Sequence, residues 1–178
     1  MIKLNLSKFR WLIIASMSGI TALALALYCI WLHPSPTVYG EQFIMNEWAP
    51  IQFIQVKPIT LIFVFVFLFY ASLIQHFENK LAVLSRDVRL FLFIISFLMT
   101  VGSLYELFFN FTLWGALMST TGVSNPDILV NRFPNPETAV SLVYASKLVI
   151  LIFAMSSYSV FFLHRLEMAL HFKSERVN

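Results

Sequence analysis

Two ionisable side chains lie inside apolar runs of this chain, where charge has chemical consequences. Glu106 sits between Leu104-Tyr105 and Leu107-Phe108-Phe109, and Lys147 follows Tyr144-Ala145-Ser146. On a helix, Gly102, Ser103, Glu106 and Asn110 fall on one face and form a single polar stripe. Val140, Tyr144, Lys147, Leu151, Ala154 and Tyr158 share a face of a second helix. Ionisable residues in hydrocarbon usually face a protein interior and pair. The expectation is a Glu106–Lys147 ion pair, with Asn110, Ser103 and Tyr144 as hydrogen-bonding neighbours. Such a pair can lock two helices in register. Removing one partner then costs about 3–5 kcal/mol, because the other charge is stranded. The pair can also serve a proton or ion step, with Glu106 neutral part of the time and the Lys147 pKa displaced. The registry role is favoured, since a transport path normally needs several acids and water-lined polarity. The apolar runs hold no acid but Glu106. In a third arrangement either charge meets a polar group of another subunit.

Other chemistry is sparse. A bis-histidine haem, and with it a membrane redox protein, can be drawn between His76 and His164, which follow the second and fourth apolar runs. Such ligands normally lie deeper, and no second pair stands on the opposite side, so no cofactor or metal is expected. Cys29 is the only cysteine, which leaves no disulfide framework, no redox thiol pair and no cysteine-based zinc site. No HExxH, Walker, GxGxxG or GxSxG pattern occurs, and no paired-carboxylate site. No catalytic residue is assigned, and an enzyme is not the favoured reading.

The elements that position these residues are four long apolar runs: Trp11 to Leu32, Pro58 to Ile74, Leu90 to Leu117 and Thr138 to Leu163. Each can hold a helix across hydrocarbon, which takes about 20 residues. The chain is 59% hydrophobic and 12% charged, too apolar for a soluble domain, where charged residues make up about 25%. The expected fold is an all-α integral membrane protein: one domain over 1–178, a four-transmembrane-helix bundle. Irregular outer loops cover 33–57 and 118–137, an inner loop 75–89 and an inner tail 164–178.

Charge orients this bundle. Lys3, Lys8 and Arg10, then Lys80, Arg86 and Arg89, then Arg165, Lys173 and Arg176 make nine of the twelve basic residues, all on one face if the spans alternate. The opposite face has Lys57 and Arg132 only. The bias predicts both termini inside, N-in/C-in, with the plasma membrane as the expected location. In this setting the formal charge of +3 reports orientation, and no nucleic-acid partner is inferred. Lys80, Arg86, Arg89, Arg165, Lys173 and Arg176 are expected to contact anionic lipid headgroups, each worth about 1 kcal/mol near the surface. Counted inward from Leu117 and Thr138, Glu106 and Lys147 lie at similar depths of roughly 14–17 Å.

The first run competes with a signal peptide, whose cleavage site would fall near Ala22-Leu23-Ala24 or Ala24-Leu25-Ala26. Its apolar length exceeds the 7–15 residues typical of such a segment, roughly, and favours a retained helix. Small residues (Ala15, Gly19; Ser18, Ala22, Ala26) repeat along it at four-residue spacing. That spacing suits close packing inside the bundle more than a subunit contact. Phe63, Phe65, Phe67 and Phe69 scatter around the second run and predict a helix facing lipid or a partner, without a polar seam. That helix starts at Pro50 and kinks at Pro58, or a short interfacial piece precedes it. In outline the chain resembles small four-span proteins that serve as accessory subunits of larger membrane assemblies. The expected role is a non-catalytic accessory or interaction subunit, with lipids and other subunits or further copies as partners. The alternative is a small ion-coupled transporter or channel component using Glu106 and Lys147.

Overall fold

The computed structural model describes residues 6–36, 40–44, 48–51, 54–122 and 136–175. Four helices long and apolar enough to cross a membrane dominate them, over Phe9–Leu32, Pro58–His76, Arg86–Thr121 and Val140–Phe172. The first belongs to α1 (Leu6–Leu32), which ends as His33 donates its N–H to the Cys29 carbonyl and Pro34 bars continuation. After Gly40 a single turn, α2 (Glu41–Ile44), precedes a hairpin of β1 (Trp48–Ile51) and β2 (Ile54–Val56). The strands are antiparallel, pairing Trp48 with Val56 and Ile51 with Ile54. Pro50 thus lies in a strand, so the short piece before Pro58 is a hairpin and the second long helix does not begin at Pro50. That helix, α3 (Pro58–His76), has Pro58 in its first turn, where a missing N–H costs nothing.

Beyond α3 comes α4 (Glu78–Val83), a short helix within the segment read as an inner loop. Ser85 then caps α5 (Arg86–Thr121), accepting from the Val88 N–H, and Gly122 ends it in the left-handed conformation at φ 66°. The last helix, α6, runs Pro136–Glu175. Both exceed their apolar runs. α5 begins before Leu90 and passes Leu117, and α6 continues through His164 and Arg165. A charged side chain in water does not break a helix, so helicity outlasts hydropathy.

α1 packs along α3, α5 along α6, and α3 joins the two pairs through α6. Within each pair the helices are antiparallel: Gly19 meets Phe69, while Arg89 meets Glu167 and Trp114 packs by Val140. α3 and α6 run parallel, with Tyr70 beside Ser159 and Gln75 beside Arg165. The small-residue stripe of α1 is buried at Ala15, Ser18 and Ala22. Gly19 admits the Phe69 ring, which a Cβ would approach to 3.0 Å. This close approach joins α1 to α3 within the chain. α3 touches α1, α2, α4 and α6. It is a central helix that still exposes Val64 and Leu68, and of the expectation of a helix facing lipid or a partner without a polar seam, the missing seam does not hold.

Two clusters secure the ends of the α5–α6 pair. At the end bearing α4, Phe162, Leu163 and Leu166 are buried against Ile74, Leu81, Leu92 and Phe93. At the other, Ile44 and Val140 are buried with Trp114, Val143 and Tyr144 around them. The second cluster seats α2. Gly40, at φ 91°, comes so close to Tyr144 that a Cβ would stand 2.7 Å from its ring.

Candidate functional site

Helix register decides where Glu106 and Lys147 lie. From the Arg89–Glu167 contact, about twenty residues along α5 and back along α6 bring Phe109 level with Lys147. From the Tyr70–Ser159 contact, about twelve residues back along both helices bring Pro58, the first residue of α3, level with Lys147. α1 stops at Leu32, near the same level by its Gly19–Phe69 contact. Lys147 and Lys57 therefore stand at similar levels at the rim of a zone shared by the four helices, and Glu106 lies within about one turn of that level.

The zone is free of charge from Leu90 to Tyr105 on α5 and from Leu148 to Leu163 on α6, each stretch about 24 Å long. Its other rim carries Arg10, His76, Arg89 and His164. Beyond Lys147, α5 and α6 project past the ends of α1 and α3. There they meet α2, through Phe43 on Tyr144 with ring centroids 6.4 Å apart and through Ile44 against Val140. Leu117 and Thr138, from which the depth of both charges is counted in the sequence, lie on these projecting parts of α5 and α6.

The expected ion pair does not form. Ion pairs join Arg89 to Glu167 and Arg165 to Glu78, and among the described residues neither Glu106 nor Lys147 takes part in one. Ser103, Leu107 and Asn110 are buried on the face α5 turns inward, while Glu106, at the border of that face, is exposed. Lys147 is half-buried. The Ser103 hydroxyl donates to the Met99 and Thr100 carbonyls of its own helix. The Tyr144 ring holds α2 and Gly40.

The charges at the α4 end divide into two kinds. Arg89, only 8% exposed, is a structural clamp. Its Nε donates to Glu167 Oε1 at 2.5 Å and its Nη1 to the carbonyls of Ala82 and Leu84. It ties α5, α6 and the end of α4 together and is withdrawn from the headgroup contacts expected of it. Arg165 Nη2 donates to Gln75 Oε1 at 3.3 Å and lies 3.6 Å from Glu78, with its guanidinium 5.5 Å from the Phe162 ring centre. Lys80 stands 5.1 Å over the Phe77 ring. Arg86 is exposed. Arg176 lies outside the described residues, and Lys173 is described only as a backbone position near the end of α6.

Sequence reasoning missed a polar seam between α3 and α6. Tyr70 and Ser159 hydroxyls are 2.5 Å apart, and Gln75 Nε2 donates to the Tyr158 hydroxyl at 2.8 Å. Through Gln75 Oε1 the seam continues to Arg165. The signal was present in Gln75 at the basic end of one run and Tyr158-Ser159 near that end of another. His76 packs edge-on against Phe77 at 5.1 Å, whereas His164 lines a groove between α5 and α6 in which His76 has no part. No family model, curated protein or solved structure matches this chain.

Proposed function

We propose that this protein is a non-catalytic, multi-pass accessory or interaction subunit of a larger membrane assembly. It sits in the plasma membrane with both termini in the cytoplasm. The charge-free zone is its embedded part and the four long helices form a bundle within it. The excess of Lys and Arg at the α4 end supports the orientation. In that orientation the projecting ends of α5 and α6, with α2 and the hairpin, form an outer layer suited to docking.

One observation carries this reading. Glu106 stands exposed at the rim of the apolar zone, without an ion-pair partner among the described residues. It lies on α5, flanked by exposed Tyr105, Phe108 and Phe109. A carboxylate at that level is stabilised by a basic or hydrogen-bond-donating group from outside the chain. A transport role has less support, because buried Ser103, Ser146 and Ser159 donate to carbonyls of their own helices.

The test is photo-crosslinking in native membranes from positions 105 and 109. The expected result is one adduct of discrete mass, weakened several-fold by Glu106→Gln. Lipid adducts alone, with a monomer on purification in mild detergent, overturn the proposal. So does pH-dependent flux through reconstituted protein that Glu106→Gln abolishes.

A further inference from the structure

Between the start of α5 and the end of α6 lies a groove of about 800 Å³. Its lining is divided. Leu90, Phe93 and Leu163 supply apolar wall beside the charge-free zone, with His164 at the same level; beyond it Arg86 and His171 stand among the apolar Met168, Leu170 and Phe172. The groove straddles the level at which hydrocarbon gives way to headgroups, if the zone is the embedded part of the chain.

The charges inside it do not cancel. Among the described residues Glu167 is the one carboxylate of the lining, and it is engaged by Arg89 at 2.5 Å. Arg86 is exposed and has no ion pair among the described residues. Among the described lining residues one guanidinium thus remains without a carboxylate, with the His164 imidazole in the same lining. A guanidinium matches a phosphate oxygen pair in geometry and in charge. An apolar wall immediately below it suits an acyl chain.

We infer that this groove is a binding site for an anionic glycerophospholipid, its phosphate held by Arg86 and His164 and the start of its chains laid on Leu90 and Phe93. The inference rests on reading the charge-free zone as membrane-embedded. It narrows the six basic residues expected to attract headgroups to one built site, from which Arg89 is excluded as ligand because it is already neutralised.

The experiment is native mass spectrometry of the whole chain released from detergent micelles, titrated with phosphatidylglycerol and, separately, phosphatidylcholine. The expected result is retention of phosphatidylglycerol at least about 5-fold over phosphatidylcholine, the ratio one surface cation supplies. Arg86→Gln combined with His164→Gln brings the ratio to about 1, while Lys80→Gln, outside the groove, leaves it unchanged. Equal retention of the two lipids, or a preference untouched by the double substitution, overturns the site. Displacement of phosphatidylglycerol by millimolar glycerol phosphate also overturns it, pointing to a soluble phosphoryl ligand. Alkaline carbonate extraction of membranes keeps the failures apart. A chain that stays in the membrane but binds lipid without preference loses only this site, whereas a chain that is washed off loses the membrane reading as well.

Discussion

Arg89 shows how a basic residue at a membrane edge can be mistaken for a headgroup ligand. Beside Arg86 in the sequence it looks like part of one surface cluster. In the fold it is buried, paired with Glu167 and bonded to two carbonyls. Arg89→Met should therefore destabilise the protein by about 1–3 kcal/mol, since carbonyls lose their donor and a carboxylate its partner. Glu167 keeps 40% exposure of its side chain, which holds the cost below that of a fully buried pair. Thermal unfolding in detergent measures it. Arg89→Met with Glu167→Leu should be less damaging than Arg89→Met alone, because no charge is then stranded. Equal damage would show that the carbonyl bonds, not the ion pair, hold the clamp. Gly40 is the second decisive residue. At φ 91° and against the Tyr144 ring, Gly40→Ala combines backbone strain with a clash and should cost at least about 2 kcal/mol. Limited proteolysis between α1 and α3 should accelerate with it.

At the scale of elements, the α1–α3 pair depends on one close approach. Gly19→Val places branched carbons where Phe69 lies and should destabilise by about 1–3 kcal/mol. Gly102→Ala and Gly115→Ala meet nothing within 4 Å and should be neutral or slightly stabilising, as alanine is the better helix former. If all three substitutions behave alike in a detergent unfolding assay, α1 does not rest on α3 as described. The start of α3 was legible only as one of two prolines, because either Pro50 or Pro58 can occupy a first helical turn. The ends of α5 and α6 were not, because an apolar run reports the solvent around a helix and not the length of its hydrogen-bond ladder. The hairpin was hidden for a different reason: its strands are too short for alternation to mark them.

For the whole molecule, the sharpest consequence concerns depth. With Cys29→Ala as background, a cysteine at 147 should react with a membrane-impermeant maleimide from the outer side, and one at 106 should react more slowly. Cysteines at 98 and 152, within the charge-free zone, should stay unlabelled. Protection at 147 equal to that at 152 would restore the mid-membrane position read from the sequence and remove the outer layer. Labelling at the termini from the inner side only would agree with the proposed orientation.

The sequence by itself determined that four helices are apolar enough to cross a membrane and how unevenly the basic residues are distributed. These are properties of each segment and its solvent, written in composition and spacing. Tertiary structure alone decided how the helices slide against one another. α5 and α6, of 36 and 40 residues, are far longer than the hydrocarbon thickness of about 30 Å. Their hydropathy therefore tolerates several depths. α3, at 19 residues, tolerates almost none, and its contacts with α6 fix the level of Lys147 and through it that of Glu106. A long apolar helix cannot report its own position, because packing against a shorter neighbour chooses among depths that are equal in solvation.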